Sequence, residues 1–390
     1  MASVQLPWKL RLIYAACKLI VNLSHRPDDT INRRLQSLTD PKTSPSKTPQ
    51  NGVVSSDTVI NSSQDLWFRC FTPTTTTTHS GDDGRNLPII VYIHGGGFAF
   101  YSASSTAYDS WCRRISGELN AVVVSINYRL APEHRCPTQY EDCFDTLKFL
   151  DENLDKLPVN VNPKLCFIAG DSAGGNLVHH VAVKASEYEF SSLKLIGLIS
   201  IQPFFGGEER TESEIRNSGG LLLSVEDTDW YWKMFLPDGS DRDHPAVNVF
   251  GPKSSVDISR VKYPSTLILI GGLDLLYDWQ RKYYDGLKKA GKEVDLVEDP
   301  NAFHGSHMFE ELPGSALFTK GIQDFMAHGL RPCLQIYNSI IHGYSRNGKF
   351  DEALLFLEEM KEINLARHTD TYGDLIQAYG KHKMYDEIST

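Results

Sequence analysis

The sequence predicts an α/β protein with a mostly parallel central sheet flanked by helices. Short, continuous apolar segments recur along the chain, as expected of strands buried on both faces of a sheet. Amphipathic segments of helical length separate most of them, which is the alternation that parallel strands require. The predicted strands are Ile89–Ile93, Ala121–Ile126, Leu165–Ala169, Ile196–Ile201, Leu267–Ile270 and Val294–Val297, and the clearest helices are Tyr140–Leu150, Asn176–Ala185 and Trp279–Ala290.

Composition supports a large buried core and argues against a nucleic-acid partner. The chain has 390 residues, of which 41% are apolar and 11% aromatic. Its net charge of −10 argues against phosphate-driven binding of nucleic acid or anionic membrane by the main body. The seven cysteines form no CxxC pair, which excludes a disulfide framework and a zinc site. We therefore expect a reducing compartment, the cytoplasm or also the nucleus, and no metal or cofactor.

The N-terminal segment, residues 1–35, is predicted to form helices of a cap. Arg11 and Lys18 interrupt its apolar stretch, which is too short for a signal peptide or a membrane span. We interpret it as an amphipathic helix docked on the main domain; a membrane-surface helix and a targeting peptide are the alternatives. The apolar residues that fall on one helical face are Leu12, Ala15, Ala16, Leu19, Ile20 and Leu23.

One segment, Gly170-Asp171-Ser172-Ala173-Gly174, has the G-x-S-x-G pattern of a nucleophile elbow. It lies between a predicted strand and a predicted helix, which is the context that the pattern requires. The flanking glycines permit a sharp turn, and the N-terminus of the helix points at developing negative charge. We therefore predict that Ser172 is a nucleophile, the alternative being a glycine-rich turn with an uninvolved serine.

Three consecutive glycines in His94-Gly95-Gly96-Gly97-Phe98 follow the strand predicted at Ile89–Ile93. Such a run leaves backbone N–H groups sterically open, which suits a tetrahedral oxyanion, and HGGG loops accompany nucleophile elbows. We predict an oxyanion hole formed by the N–H groups of Gly96, Gly97 and Ala173, with Gly95 as an alternative donor. The alternatives are a simple turn and a phosphate-binding loop. A P-loop is excluded, because no Lys-Ser/Thr follows the glycines. His94 is expected to orient the loop rather than to act as a base.

A serine nucleophile needs a base and an orienting acid, which in this arrangement follow it in the order acid, then histidine. Asp274 comes directly after the strand predicted at Leu267–Ile270, and His304 comes after the last predicted strand. We predict that they complete a catalytic triad with Ser172. Asp278 is the competing acid and the better candidate for a helix N-cap, and His307 is the competing histidine.

At these residues the chain resembles the plant carboxylesterase family, which is related to hormone-sensitive lipase. The resemblance covers roughly residues 5 to 325, including the N-terminal segment from Trp8 to Arg34. It implies the α/β-hydrolase fold, a helical cap over the site, and hydrolysis of short-chain esters. The matching motifs are His94–Phe98, Tyr128-Arg129-Leu130-Ala131-Pro132-Glu133-His134, Gly170–Asn176, Gly271–Asp274 and His304.

The same family contains proteins that are not hydrolases. The gibberellin receptors keep the serine but lack the catalytic histidine, and the hydroxyisoflavanone dehydratases carry threonine at the nucleophile position. This chain has Ser172 and His304, so it resembles the hydrolases at both positions. It departs from them at Leu275-Leu276, where relatives commonly have a proline, and we expect little effect on the triad. A non-catalytic receptor for a hormone-like small molecule is the alternative function. We expect a small-molecule ester as substrate and a monomer or weak homo-oligomer.

Two low-complexity segments and a different C-terminal region complete the organisation. Residues 39–52 read as a linker or surface loop, and Thr74–Thr78 with the glycines after it reads as a loop between strands. From about residue 330 the chain repeats with a period of 35 and resembles a pentatricopeptide repeat, an all-α helical-repeat tail. About one and a half repeats are too few to read RNA. The expected domains are residues 1–35 (cap), 36–328 (catalytic) and 329–390 (tail).

Overall fold

The computed structural model describes residues 8–26, 28–74, 87–158, 160–218 and 223–330, with residues 341, 344–345, 349 and 352–357. Eight described strands form one sheet in the order β1-β2-β4-β3-β5-β6-β7-β8. The strands are β1 Val53–Asn61, β2 Leu66–Pro73, β3 Leu87–Ile93, β4 Val122–Asn127, β5 Val161–Asp171, β6 Leu195–Ile201, β7 Ser265–Gly271 and β8 Val294–Asp299. The helices are α1 Trp8–Ser24, α2 Arg33–Gln36, α3 Thr106–Glu118, α4 Thr138–Glu152, α5 Ala173–Ala185, α6 Glu212–Arg216, α7 Val225–Phe235, α8 Tyr277–Lys289 and α9 Pro313–Leu330.

Among the described strands, β2 pairs in antiparallel fashion with both β1 and β4. The other pairs, from β4 through β3 and β5 to β8, are parallel. The predicted α/β class with a mostly parallel sheet is confirmed, and all six predicted strands are present. Every residue of β3 is buried, since helices cover both faces of the sheet. Full burial explains why these strands could be recognised as continuous apolar segments.

Strands β1 and β2 were not identified from the sequence. Strand β1 mixes buried positions such as Val53 with exposed ones such as Val59, and three of its nine residues are Ser or Asp. It lies at the edge of the sheet and pairs only with β2. An edge strand of this kind lacks the continuous apolar segment on which the prediction depended.

Helix α9 packs against the face of the sheet formed by β5, β7 and β8. A Cβ atom at Gly321 would lie 3.1 Å from Val297 and 3.3 Å from Leu269, so the helix backbone approaches the strands closely. Phe325 contacts Phe167 edge to face, with ring centroids 6.3 Å apart. The chain divides into two compact units, Met1–Phe325 and Met326–Thr390.

The N-terminal helix is present as α1, but the face predicted to dock is exposed. Leu19 and Leu23 are 60% and 63% exposed, and Ala15 and Ala16 are also exposed. The prediction that this face packs on the domain is wrong for these four residues; Ile20 is half-buried, and the side chain of Leu12 lies outside the described part of the chain. Another face of the helix contacts the domain, since Val21 packs against Ile31, Ala99 and Phe100. In addition, Lys18 lies 2.9 Å from Asp227 in the first turn of α7.

Several predicted segments lie outside the described residues. The loop after Thr74 is one of them, from residue 75 to residue 86. In the tail, the described helical residues are 341, 344–345 and 352–357, while most of the segments predicted as repeat helices fall outside the description. Among the described helices, none combines the length and the apolar character needed to cross a bilayer.

Candidate active site

Ser172 occupies a strained turn between β5 and α5. Its φ is +52° and its ψ is −118°, a backbone conformation that non-glycine residues seldom adopt. The turn is tight because a Cβ atom at Gly174 would lie 1.9 Å from the carbonyl oxygen of Ile93. A Cβ atom at Gly170 would lie 2.5 Å from the carbonyl oxygen of Gly174. The two glycines of the pattern are therefore required by the close approach of β5, α5 and β3.

The structure brings Ser172, His304 and Asp274 into one hydrogen-bonded chain. His304 Nε2 lies 2.9 Å from Ser172 Oγ, and His304 Nδ1 lies 2.8 Å from Asp274 Oδ2. Each residue lies after the carboxyl end of a strand: Ser172 after β5, Asp274 after β7 and His304 after β8. The Asp274 side chain is fully buried and that of His304 is 15% exposed, so the base is accessible while the acid is not.

The carboxylate of Asp274 is held by two donors besides His304. Its Oδ1 accepts a hydrogen bond of 2.9 Å from the N–H of Leu276, and its Oδ2 accepts one of 2.9 Å from Gln280 Nε2. Asp278 does not cap α8, contrary to expectation. It lies inside the first turn of the helix, where its carboxylate accepts a hydrogen bond from the N–H of Ser213 at 2.7 Å.

The competing histidine, His307, lies away from the hydrogen-bonded chain. Its ring is buried and packs edge-on against Trp111, with ring centroids 4.9 Å apart. Its Nε2 is 4.0 Å from Asp171 Oδ2. Burial, together with the nearby His304 and Arg114, lowers the pKa of His307 to about 3, so His307 is neutral at physiological pH.

Burial and neighbouring charge act in opposite directions on His304. Burial alone would lower the pKa of His304, but the charge and hydrogen bond of Asp274 raise it. The more distant carboxylate of Asp171 raises it further, so the net pKa of His304 lies above the ordinary value. His304 is thus a stronger base than a free imidazole.

The glycine loop after β3 has backbone N–H groups that are free to donate. Gly96 and Gly97 have φ values of +94° and +60°, and their N–H groups have no acceptor among the described residues. The same holds for Ala173, the first residue of α5. Gly95 is not an alternative donor, because its N–H is already bound to the hydroxyl of Tyr108 at 2.9 Å and to Asp171 at 3.1 Å.

Buried polar side chains hold this loop in place. Asp171 accepts hydrogen bonds from the hydroxyls of Tyr92 at 2.8 Å and Tyr108 at 2.9 Å. The Tyr128 hydroxyl donates to the carbonyl of His94 at 2.9 Å, and the two rings stack. His94 Nδ1 lies 2.9 Å from the Gly95 carbonyl oxygen, and burial lowers the pKa of His94 to about 3. These contacts agree with an orienting role for His94.

The N-terminal segment contributes a further support. The guanidinium of Arg33 donates to the carbonyl oxygens of Ala99 and Ala131 and pairs with Glu133. Ala99 itself is bound to the glycine loop, since its N–H donates to the carbonyl of Gly96 at 3.1 Å. Arg33 therefore ties the segment after α1 to the loop that carries the open donors.

Sequence reasoning missed four residues that position the site: Asp171, Tyr108, Gln202 and Gln280. Asp171 lies beside Ser172 in the elbow motif, so its position in the sequence was a usable signal. Gln202 binds the main chain on both sides of His304, from the end of β6. It approaches His304 across about 100 positions of sequence, and no local pattern predicts such a contact.

The arrangement is suited to acyl transfer at an ester or related carbonyl. A serine hydroxyl, an imidazole and a buried carboxylate are linked in the required order, and the residue after the serine, Ala173, has an open N–H at the start of α5. The described residues contain no group of three or more His, Cys, Asp or Glu side chains arranged to hold a metal ion.

Comparison with known proteins shows the family to which the chain belongs. The chain belongs to the α/β-hydrolase fold family, whose model matches residues 90–308. The resemblance to plant carboxylesterases is confirmed: carboxylesterase 20 of Arabidopsis thaliana is 34% identical over 76% of this chain and 93% of its own. Gibberellin receptor GID1C of the same plant is 45% identical over 72% of this chain and 82% of the receptor.

A solved structure shares both fold and partial sequence. The hyperthermophilic esterase of the archaeon Pyrobaculum calidifontis is 27% identical, with a TM-score of 0.64, over 83% of this chain and 98% of the esterase. In the C-terminal region, the pentatricopeptide repeat model matches residues 335–365 and 370–389, which confirms the predicted resemblance there.

Proposed function

We propose that the protein is a serine carboxylesterase that hydrolyses short-chain carboxylic esters. The observation that carries this proposal is the continuous hydrogen-bonded chain from Ser172 through His304 to Asp274. Each link has the length of a productive hydrogen bond. The family resemblance adds that receptors of this family lack the histidine that is present here.

The proposed reaction proceeds by two acyl transfers. His304 Nε2 takes the proton of Ser172 Oγ as the oxygen attacks the ester carbonyl, and Asp274 stabilises the resulting imidazolium. The negative oxygen of the tetrahedral intermediate accepts hydrogen bonds from the N–H groups of Gly96, Gly97 and Ala173. The imidazolium returns the proton to the leaving alcohol. Water, deprotonated by His304, then attacks the acyl-serine and releases the acid, which restores Ser172. The protein's own groups supply each proton transfer.

Turnover and covalent labelling test this proposal together. Purified full-length protein is assayed on p-nitrophenyl esters of increasing acyl length, and a fluorophosphonate probe is used to label the nucleophile. We expect turnover that is fastest on short acyl chains, and mass spectrometry should place the label on Ser172. Absence of both turnover and labelling, in protein that is folded by circular dichroism, would refute the proposal.

A second candidate is a receptor that binds a gibberellin-like small molecule without turnover. The observation that favours it is the 45% identity to a gibberellin receptor, which exceeds the identity to carboxylesterase 20. Equilibrium binding of a gibberellin to the wild type and to Ser172→Ala separates the two candidates. Saturable binding to both proteins, with no ester turnover by the wild type, would favour the receptor.

We propose a cytoplasmic location, including the nucleus, on the basis of thiol chemistry. Five described cysteines are free and buried, as suits a reducing compartment: Cys70, Cys112, Cys136, Cys143 and Cys166. We further propose that the protein is a monomer or weak homo-oligomer.

The tail is proposed to be a fused, helical-repeat fragment with no RNA-reading role, since a tract of such repeats needs more units. Strong, salt-dependent binding of RNA by the full chain would contradict this assignment.

A further inference from the structure

We propose that Gln280 is a positioning residue that sets the base strength of His304, by sharing the carboxylate oxygen of Asp274 to which the imidazole is bound. This inference rests on the proposed function, because it assigns a role within the same triad. Gln280 touches neither the serine nor the histidine, so it acts through Asp274.

The contact follows from the placement of Gln280 in α8. Helical side chains lean toward the helix N-terminus, and Gln280 in the first turns of α8 therefore reaches back to the loop before the helix. Its Nε2 lies 2.9 Å from Asp274 Oδ2, the same oxygen that lies 2.8 Å from His304 Nδ1. The amide orientation is determined, because the opposite orientation would set two acceptor oxygens against each other. Asp274 Oδ1 is already bound to the N–H of Leu276.

Stability does not account for a glutamine at this position. Gln280 is completely buried, and its Oε1 has no hydrogen-bond partner within the described part of the chain. Burying an amide oxygen without a hydrogen-bond partner is unfavourable. A methionine at this position would have similar length and helix propensity and would carry no amide group that needs a partner. The polar contact that Gln280 does make is the one to Asp274, which points to a role in the triad.

The charges around His304 show what this contact would do. Asp274 from the β7–α8 loop and Asp171 from the end of β5 are the carboxylates that raise the pKa of His304, while the neighbouring His307 is neutral. A further rise in the pKa of His304 would leave more of the imidazole protonated, and a protonated imidazole cannot accept the serine proton. The Gln280 N–H group donates to Asp274 Oδ2, and its partial positive charge offsets part of the negative charge of that oxygen. The carboxylate then raises the pKa of His304 by less than it would without Gln280. Gln280 thereby keeps His304 available as a base near neutral pH.

The experiment compares Gln280→Met with a matched control, Gln139→Met. Gln139 is also completely buried, its Nε2 donates to main-chain carbonyls of Arg129 and His134, and its Oε1 has no described partner. The acid midpoint of kcat/KM for an activated ester should rise by about half a pH unit or more in Gln280→Met and stay constant in Gln139→Met. Thermal unfolding should show no greater loss of stability in Gln280→Met than in the control. Gln280→Leu serves as a second variant if the first does not fold.

Measuring the pKa of His304 directly, without an activity assay, separates this inference from the proposed function. The downfield proton resonance of His304 Nδ1–H is titrated by NMR in full-length Ser172→Ala, with and without Gln280→Met. A midpoint that rises while the wild type turns over no ester would refute the esterase and support the role of Gln280. Ester turnover by the wild type, with midpoints unchanged within about 0.2 units in both folded Gln280 variants, would overturn the inference alone.

Discussion

Gln202 holds the peptide groups on both sides of His304. Its Nε2 donates to the carbonyl oxygen of Phe303 at 2.9 Å, and its Oε1 accepts from the N–H of Gly305 at 2.8 Å. Gln202 is itself in a left-handed conformation, with φ at +44°, directly after β6. A single side chain directly after β6 thus fixes the loop that places the imidazole beside the serine.

Replacing Gln202 should reduce the rate of chemistry more than substrate binding. In Gln202→Met both hydrogen bonds are lost and the His304 loop gains freedom, so kcat should fall about 10- to 100-fold with a smaller change in KM. Steady-state kinetics on a p-nitrophenyl ester measure both constants, with Gln139→Met as a control for the loss of a buried amide. A rise in KM with kcat unchanged would contradict a role in placing the base.

Removing the nucleophile should abolish hydrolysis without unfolding the protein. For Ser172→Ala we expect a loss in kcat on the order of 10⁶, as for other serine hydrolases. The fold should persist, because the turn is imposed by the close approach of the surrounding backbone. Hydrolysis rates of the variant and the wild type are compared, and thermal unfolding of both proteins shows whether the variant is folded. Retention of more than about a tenth of the activity would exclude Ser172 as the nucleophile.

The acid and the base should behave as one unit. His304→Ala and Asp274→Asn should each reduce kcat severely, and the double variant should lose little more than the worse single one. Asp278→Asn is the matched control, because its carboxylate binds Ser213 and lies outside the triad. Kinetics on the four variants test the assignment. If Asp278→Asn proved as damaging as Asp274→Asn, the acid would be assigned wrongly.

The pH dependence of activity should reflect the raised pKa of His304. The imidazole must be neutral to accept the serine proton, so kcat/KM falls as the pH drops through the pKa of the free enzyme. Because Asp274 and Asp171 raise the pKa of His304, the midpoint should lie above the value of about 6.5 for free histidine. The residual activity of Asp274→Asn should have a lower midpoint. Measuring kcat/KM against pH for the wild type and for Asp274→Asn gives both midpoints. A wild-type midpoint below the pKa of free histidine would contradict the raised pKa of His304.

Removing the tail should leave esterase activity unchanged. The triad and the open N–H donors all lie within the unit Met1–Phe325. A chain that ends after Leu330 retains the whole of α9, and we expect its kcat and KM to agree with those of the full chain. Kinetics and thermal unfolding of the two chains make the comparison. A melting temperature lowered by more than a few degrees would indicate that the tail stabilises the hydrolase unit.

The parallel strands and the three residues of the Ser172–His304–Asp274 hydrogen-bonded chain could be predicted from local sequence. Strands such as β3 are buried on both faces, and they therefore appear as continuous apolar segments. Ser172 could be predicted because a tight strand–turn–helix needs glycines at fixed positions on both sides. Asp274 and His304 followed from their order in the chain and their places after strands.

The supporting contacts could not be predicted, because they join residues far apart in sequence. Gln202 and Phe303 are 101 positions apart, and Tyr108 and Asp171 are 63 apart. The exposed face of α1 also escaped prediction. An apolar stripe normally docks, but here Val21 packs against Ala99 and Phe100 while Lys18 pairs with Asp227. Such a contact depends on where α7 comes to lie, which local periodicity does not encode.

Arg33 has a practical consequence for anyone producing a shortened form of this protein. Trimming the chain to the region that matches the hydrolase family model, residues 90–308, would discard Arg33. The carbonyl oxygens of Ala99 and Ala131 would then lose their guanidinium donor. Expression boundaries chosen from family alignments alone would therefore cut away part of the scaffold behind the glycine loop, so a useful recombinant fragment has to begin well before Arg33.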